Sequence, residues 1–432
     1  MIDSIDKFNK GLLNFLASSV SPFHAVESMK TLLLGRGFEE LKETDVWKIN
    51  STGKYFITRN DSSIIALKLG ENELSESGIR MTGAHTDSPC LKVKPNPELV
   101  KHGYGQLGVE VYGGALLNPW FDRDLSMAGR VSYSTVDGQI KSDLVKFDEA
   151  IAVIPSLAIH LDREANKNKT VNAQNHMPPI LMMCDNADNF NLKKILNQKL
   201  EKTNNKINQL LDYELMFYDI QPPAVIGLNH EFISSSRLDN LLSCYTGLMS
   251  LFDSDDKQSA LLICNDHEEV GSQSASGAKG GFLKSVLERI LPDKENYNRV
   301  LARSVLVSAD NAHGVHPNFS DKHDGNHGPR LNAGPVIKVN ANQSYATNSE
   351  TAALFRLLAK QVDVPVQSFV VRSDMGCGST IGPITSAEIG VKTIDVGVPT
   401  FAMHSVRELA GNKDAYYLYS VLRRYNNELV LA

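Results

Sequence analysis

Two short segments of this chain carry side chains with the types and spacing of a hydrolytic metal site. In Met81-Thr82-Gly83-Ala84-His85-Thr86-Asp87-Ser88-Pro89 a strand-like run ends on a histidine with a carboxylate two residues on. That is the arrangement of a metal ligand and its orienting partner. A second apolar run ends just before Asp266-His267-Glu268-Glu269-Val270-Gly271, which offers adjacent carboxylates. Neighbouring side chains cannot easily do the same job, so one can bind a metal while the other works on a water. The pair predicts a metallohydrolase.

In open α/β sheets, ligands bind beyond the carboxyl ends of the strands. That rule adds Asp310 after a third strand, and His404 a few residues past the Thr393–Val396 strand. Asp239, in Ser236-Arg237-Leu238-Asp239-Asn240, joins them at the start of an apolar helix. Oxygen ligands mixed with imidazole suit Zn²⁺, with Co²⁺ or Mn²⁺ as substitutes. Five ligands exceed what one catalytic zinc needs, so a two-metal centre is expected, with a carboxylate bridging ions roughly 3.5–4 Å apart. A further carboxylate must take a proton from the attacking water and pass it to the leaving amine. Glu268 fits that role because Glu269 can be the ligand. Taken singly, each residue has a plainer reading: His85 as a hydrogen-bonded structural histidine, Asp239 as a helix N-cap, Asp310 before Asn311 as turn chemistry, and Glu268-Glu269 as a solvated pair. Their joint placement at one sheet edge argues against coincidence.

The elements that must position these residues read as an α/β layer fold interrupted by a β-rich insertion. Ile5, Phe8, Leu12, Phe15 and Leu16 recur at helical spacing, and Ser21-Pro22 opens a second helix that Gly35 can stop. Strands are expected at 64–69, 79–82, 261–264, 305–308, 366–371 and 392–396, and an apolar helical stripe runs from Leu238 to Phe252. From about Leu91 to Pro223 the texture changes. Arg130–Val136 and Gln139–Lys141 flank Asp137-Gly138, which predicts a hairpin with a type I′ turn. The polar stretch from Arg163 to His176 reads as an exposed loop.

Composition sets the outer bounds. A chain of 432 residues can build two domains, or one with a large insertion. A formal charge of −6 and the lack of a basic stripe argue against a nucleic-acid partner. No apolar run approaches the length of a membrane span. Five dispersed cysteines without a CxxC pair, behind an acidic N-terminus without a signal core, place the expected location in the cytoplasm. Three motif matches carry no weight. Gly103–Gly108 fits GxGxxG but leads into a strand rather than a helix. His267-Glu268-Glu269-Val270-Gly271 lacks the second histidine of HExxH. His313, His316, His323 and His327 cluster without a cysteine, which favours substrate contacts or loop structure.

Seven segments, in order along nearly the whole chain, resemble the aspartyl aminopeptidase family of zinc metallopeptidases. They are Gly83–Pro89, Phe121–Asp124, Ser236–Asn240, Asp266–Ser272, Ser308–His313, Gly334–Asn340 and Met403–Glu408. The resemblance implies helices packed around a mixed sheet, in a discontinuous catalytic domain of residues 1–91 and 224–432, with a β-rich dimerisation domain inserted at 92–223. It implies two Zn²⁺ per subunit: His85, Asp239 and Asp310 on one, Asp239, Glu269 and His404 on the other, Glu268 as general base, and Asp87 orienting His85. It also implies a homo-oligomer, a tetrahedral dodecamer built from dimers, in which His160 reaches a neighbouring subunit's site.

Peptide substrates with an N-terminal Asp or Glu need a cation for the side-chain carboxylate. Lys338 matches the family position for that cation, with His316 and Tyr345 as neighbours; its plainer reading is a surface lysine on a strand. Neutral, leucine-type preference, a di-metal deacylase of N-acyl amino acids, and a non-catalytic zinc scaffold are the competing readings. The scaffold is disfavoured because structural zinc sites use cysteine and histidine without a spare carboxylate.

Overall fold

Four apolar strands, Arg80–His85, Ala260–Asn265, Val305–Ala309 and Lys392–Gly397, run parallel at the centre of a nine-stranded mixed sheet. The first three are buried at every residue, as expected of parallel strands covered on both faces. This arrangement comes from a computed structural model, which describes residues 2, 4–201 and 207–429. Outside the parallel core, Ser63–Lys68 adds antiparallel to Ala260–Asn265, and Val336–Lys338 adds antiparallel to Lys392–Gly397.

The period-2 alternation of strands decides which helix meets which face. Leu262 and Cys264 point to one face, where Phe8, Leu12, Leu241, Leu248, Phe355 and Leu418 pack from four helices. Leu261 and Ile263 point to the other, against Phe282, Val286 and Leu301. The first helix covers Ile5–Ser18 and buries Phe8, Leu12, Phe15 and Leu16, as their spacing predicts. Pro22 opens the second, with Ser21 accepting from the His24 amide and Gly35 following its last residue.

The chain divides into two compact units. Met1–Ser88, Pro223–Met403 and Glu408–Ala432 form the first, and Pro89–Pro222 with His404–Arg407 the second. The second unit is a six-stranded antiparallel sheet, ordered Ile140–Lys146, Leu125–Thr135, Ile207–Asp219, Cys90–Lys101, Tyr104–Tyr112, Ile180–Met183. Leu192, Leu196 and Leu200 of the helix Leu192–Glu201 complete its core.

Two particulars differ from the sequence reading. The hairpin after Thr135 closes over three residues rather than two: the Thr135 amide donates to the Gln139 carbonyl and the Gly138 amide to the Thr135 carbonyl. Only Gly138 takes a positive φ there, of +79°, which is the three-residue loop with a glycine bulge. The Asp137 carboxylate instead accepts the Thr135 hydroxyl. Second, His404–Arg407 joins the 89–222 unit rather than the unit that holds the residues on either side of it in sequence. Val406 packs in that unit's core, and the Arg407 guanidinium donates to the Gln221 and Pro222 carbonyls, 3.0 Å each.

Candidate metal centre

Because the central strands are parallel and in register, their carboxyl ends bring His85 level with Asn265, so Asp266–Glu269 and Asp310 emerge on the same edge. His85 is 1% exposed, and its two ring nitrogens face different partners. Nδ1 lies 3.1 Å from the Asp87 carbonyl and 3.4 Å from its carboxylate. Nε2 lies 3.6 Å from Asp239 Oδ1 and 3.7 Å from Asp310 Oδ1. A hydrogen bond at Nδ1 leaves Nε2 as the nitrogen available to a metal.

Asp87 does more than orient His85. Its Oδ1 accepts the Glu268 amide and its Oδ2 the Glu269 amide, both at 3.1 Å. Glu268–Val270 forms a single 3-10 turn, whose first N–H groups have no partners within the turn. One buried carboxylate therefore aligns the histidine and the glutamate pair together. No local pattern announces this, because Asp87 and Glu268 are 181 residues apart.

Asp239 does not cap its helix. Asp239 and Asn240, joined by a cis peptide, both depart from helical φ/ψ inside the span Leu238–Phe252. Its carboxylate turns to the sheet edge instead, where ligand atoms of His85, Asp239 and Glu269 lie within 4.8 Å of one another. Asp310 completes the group through its contact with the same His85 nitrogen.

So many acids in one buried place perturb one another. Burial, then the charge of Asp239, pushes the Glu269 carboxyl well above its ordinary range. Burial likewise pushes Glu268 up to about 7; His85 opposes this, while Asp310, Asp87 and Asp239 reinforce it. Burial would raise Asp310 too, but Lys338 and His85 outweigh it and hold Asp310 low. Burial disfavours a charged His85, yet Asp310 and Asp87 keep its affinity for a proton well above normal. A convergent imidazole and carboxylates that repel one another are the donor set that a divalent cation such as zinc satisfies.

Lys338 is not a surface lysine. It is 2% exposed, with Nζ 2.9 Å from the Asn311 carbonyl, 3.7 Å from Asp310 Oδ2 and 5.3 Å from the Tyr345 ring centroid. Tyr345 and His316 line a cavity of about 430 Å³ with His313, Lys322, His323 and Phe369. His316 Nδ1 accepts the Asn318 amide at 3.2 Å, which leaves Nε2 as the ring's donor when neutral. In the second unit, the His404 ring nitrogen Nδ1 sits 3.2 Å from the Gly114 carbonyl. His160 is exposed in a loop whose Leu157, Ile159 and Leu161 are also exposed.

The model of the family described as aminopeptidase I zinc metalloprotease (M18) matches residues 15–425. A probable M18 family aminopeptidase 2 of Ectopseudomonas mendocina (strain ymp) is 59% identical over 417 residues, covering 96% of this chain and 97% of that protein. A chain in the cryo-EM structure of the Ape4 and Nbr1 complex superposes with a TM-score of 0.94 at 37% identity, covering 98% of this chain and 85% of that one. The S. cerevisiae mApe1 dodecamer gives a TM-score of 0.82 at 28% identity, covering 96% and 95%. Matched over nearly its whole length, this chain belongs to the aminopeptidase I zinc metalloprotease (M18) family, and is an aminopeptidase with the family's α/β fold.

Proposed function

We propose that this aminopeptidase removes N-terminal Asp or Glu from peptides at a two-zinc centre, with Glu268 as the proton carrier. One observation carries the mechanism: Glu268 stands beside Glu269 in a turn whose two amides both donate to Asp87, where the charges of His85, Asp310, Asp87 and Asp239 act on its buried carboxyl. His85, Asp239, Glu269 and Asp310 are the clustered residues that would hold the metal. His404 is proposed as the further ligand on the strength of the Met403–Glu408 motif alone. Zinc, when bound, supplies Lewis acidity at the scissile carbonyl and makes a water acidic enough to attack at neutral pH. Glu268 then takes the water's proton and delivers it to the leaving amine, while Asp87 holds His85 and both glutamates in place.

The acidic preference is supported by charge. The described residues lining the 430 Å³ cavity include three histidines and Lys322 but no Asp or Glu. Lys338 is buried against the ring of Tyr345, which also lines that cavity. An ammonium has three N–H donors, and two acceptors, Asn311 and Asp310, face it among the described residues. A substrate carboxylate is a suitable third. The test is metal depletion followed by reconstitution with Zn²⁺, Co²⁺ or Mn²⁺, with rates on Asp-, Glu- and Leu-anilides. Activity is expected to vanish with metal and return with it, Asp and Glu above Leu. Faster turnover of Leu would overturn the acidic preference.

A homo-oligomer follows as part of this reading, because the mApe1 relative was solved as a dodecamer. His160, exposed among apolar neighbours, is proposed to complete the site of an adjacent subunit. His160→Ala is then expected to leave the assembly intact by light scattering while lowering kcat by roughly 100-fold or more, the scale of a lost proton-transfer or oxyanion partner. Unchanged kcat would remove His160 from the site.

A further inference from the structure

The backbone around Asp239 is held by three hydrogen bonds, none supplied by a proposed ligand. Glu408 Oε2 accepts the Asp239 amide at 3.0 Å. The Ser88 hydroxyl donates to the Asp239 carbonyl at 2.6 Å. One residue on, the Asn240 side-chain amide donates to the Ala309 carbonyl at 2.8 Å, next to Asp310. The Asp239 peptide is thus gripped at both ends, and its neighbour is tied to the strand that delivers a second carboxylate.

Glu408 is the least expected of these partners. It is 2% exposed and begins the strand Glu408–Gly411, where it pairs with Ser235 of Phe232–Ser235. The chain leaving Ser235 passes through Arg237 at a φ of +58° and reaches Asp239 in front of that carboxylate. First-turn amides of a helix have no partners within it, and Arg237 supplies no side-chain cap. Glu408 takes the Asp239 amide from another strand. Burying a further carboxylate against the Asp239 main chain carries a desolvation cost. A neutral acceptor of the same length can also satisfy the amide, so what Glu408 supplies to Asp239 is the placement of an acceptor oxygen.

We propose that Glu408 is a positioning residue for zinc binding: its grip on the Asp239 amide sets the aim of the Asp239 carboxylate. This rests on the reading of Asp239 as a ligand. Partners one step removed from a metal typically change its affinity by roughly 10- to 100-fold when lost. Zinc affinity, measured by chelator competition on the full chain without any turnover assay, reads this out. Glu408→Met is expected to weaken binding by roughly 10- to 100-fold, while Glu408→Gln, which keeps an acceptor oxygen in place, stays within about threefold of the parent. Should the Met variant fail to fold, Glu408→Asp carries the test, because it keeps the charge but draws the oxygen back by one methylene, and it should weaken binding too. Parent-like affinity in the Met or Asp variant overturns the proposal, as does a loss in Gln equal to that in Met. Asp239→Ala separates the two levels. If it binds zinc like the parent, the ligand reading has failed; if it loses zinc while Glu408→Met does not, the positioning role alone has failed.

Discussion

Glu268→Gln is expected to lower kcat on aminoacyl-anilides by roughly 100- to 10,000-fold, the range for losing a positioned general base, with zinc content and KM close to the parent's. The amide matches the carboxylate in size but cannot take a proton from water. Glu269 should stay where it is, because the glutamate pair is held through main-chain amides on Asp87 and not through the Glu268 side chain. Stability should not suffer either. Burial among Asp310, Asp87 and Asp239 already works against a charged Glu268, and the substitution removes that charge. Glu269→Gln is the informative contrast, since it weakens a ligand and should lose zinc along with activity. Metal analysis and steady-state kinetics on the same preparations decide the matter. Near-parent kcat in a zinc-replete Glu268→Gln protein would remove this residue from proton transfer.

What the sequence made legible, and what it did not, follows from how local each signal is. Leu261–Cys264 and Val305–Ser308 read as strands because they are short apolar runs, and buried parallel strands need little else. Once the strands are known, the sheet-edge rule leads to His85, Glu268, Glu269 and Asp310 without further information. From its local pattern, apart from the family resemblance, Asp239 is an acid before an apolar stripe, which is equally the signature of a helix cap. Its departure from helical geometry is a tertiary effect. The Glu408–Asp239 contact spans 169 residues of sequence and leaves no local pattern. His404–Arg407 lies in sequence between strands of the first unit, yet Val406 and Arg407 find their apolar and carbonyl partners in the second. Lys338 misleads for a related reason. A lysine ending a three-residue strand normally faces water, and here the Asn311 carbonyl and Asp310 carboxylate that follow another strand, with the Tyr345 ring, help make its burial tolerable.

That double environment makes Lys338→Met the second large expectation. If the ammonium receives the substrate's side-chain carboxylate, its loss should cut kcat/KM for Asp-anilide by roughly 30- to 1,000-fold, about 2–4 kcal/mol for truncating a buried charged hydrogen-bonding partner. Leu-anilide offers no carboxylate, so its kcat/KM should fall far less and the Asp/Leu ratio should collapse. The competing possibility is that Lys338 serves only Asp310, whose carboxyl it helps to hold low. In that case the damage passes through the metal centre, and both substrates should fall together with zinc affinity. Measurement at saturating zinc separates these outcomes, because excess metal restores an Asp310 defect but cannot return a cation to the pocket. Lys338→Arg makes no conservative control, since a planar guanidinium does not replace a compact ammonium at a buried site. A parallel fall of Asp- and Leu-anilide rates in the Met variant that saturating zinc reverses would assign Lys338 to Asp310 alone and leave the acidic preference to the histidines and Lys322 of the cavity.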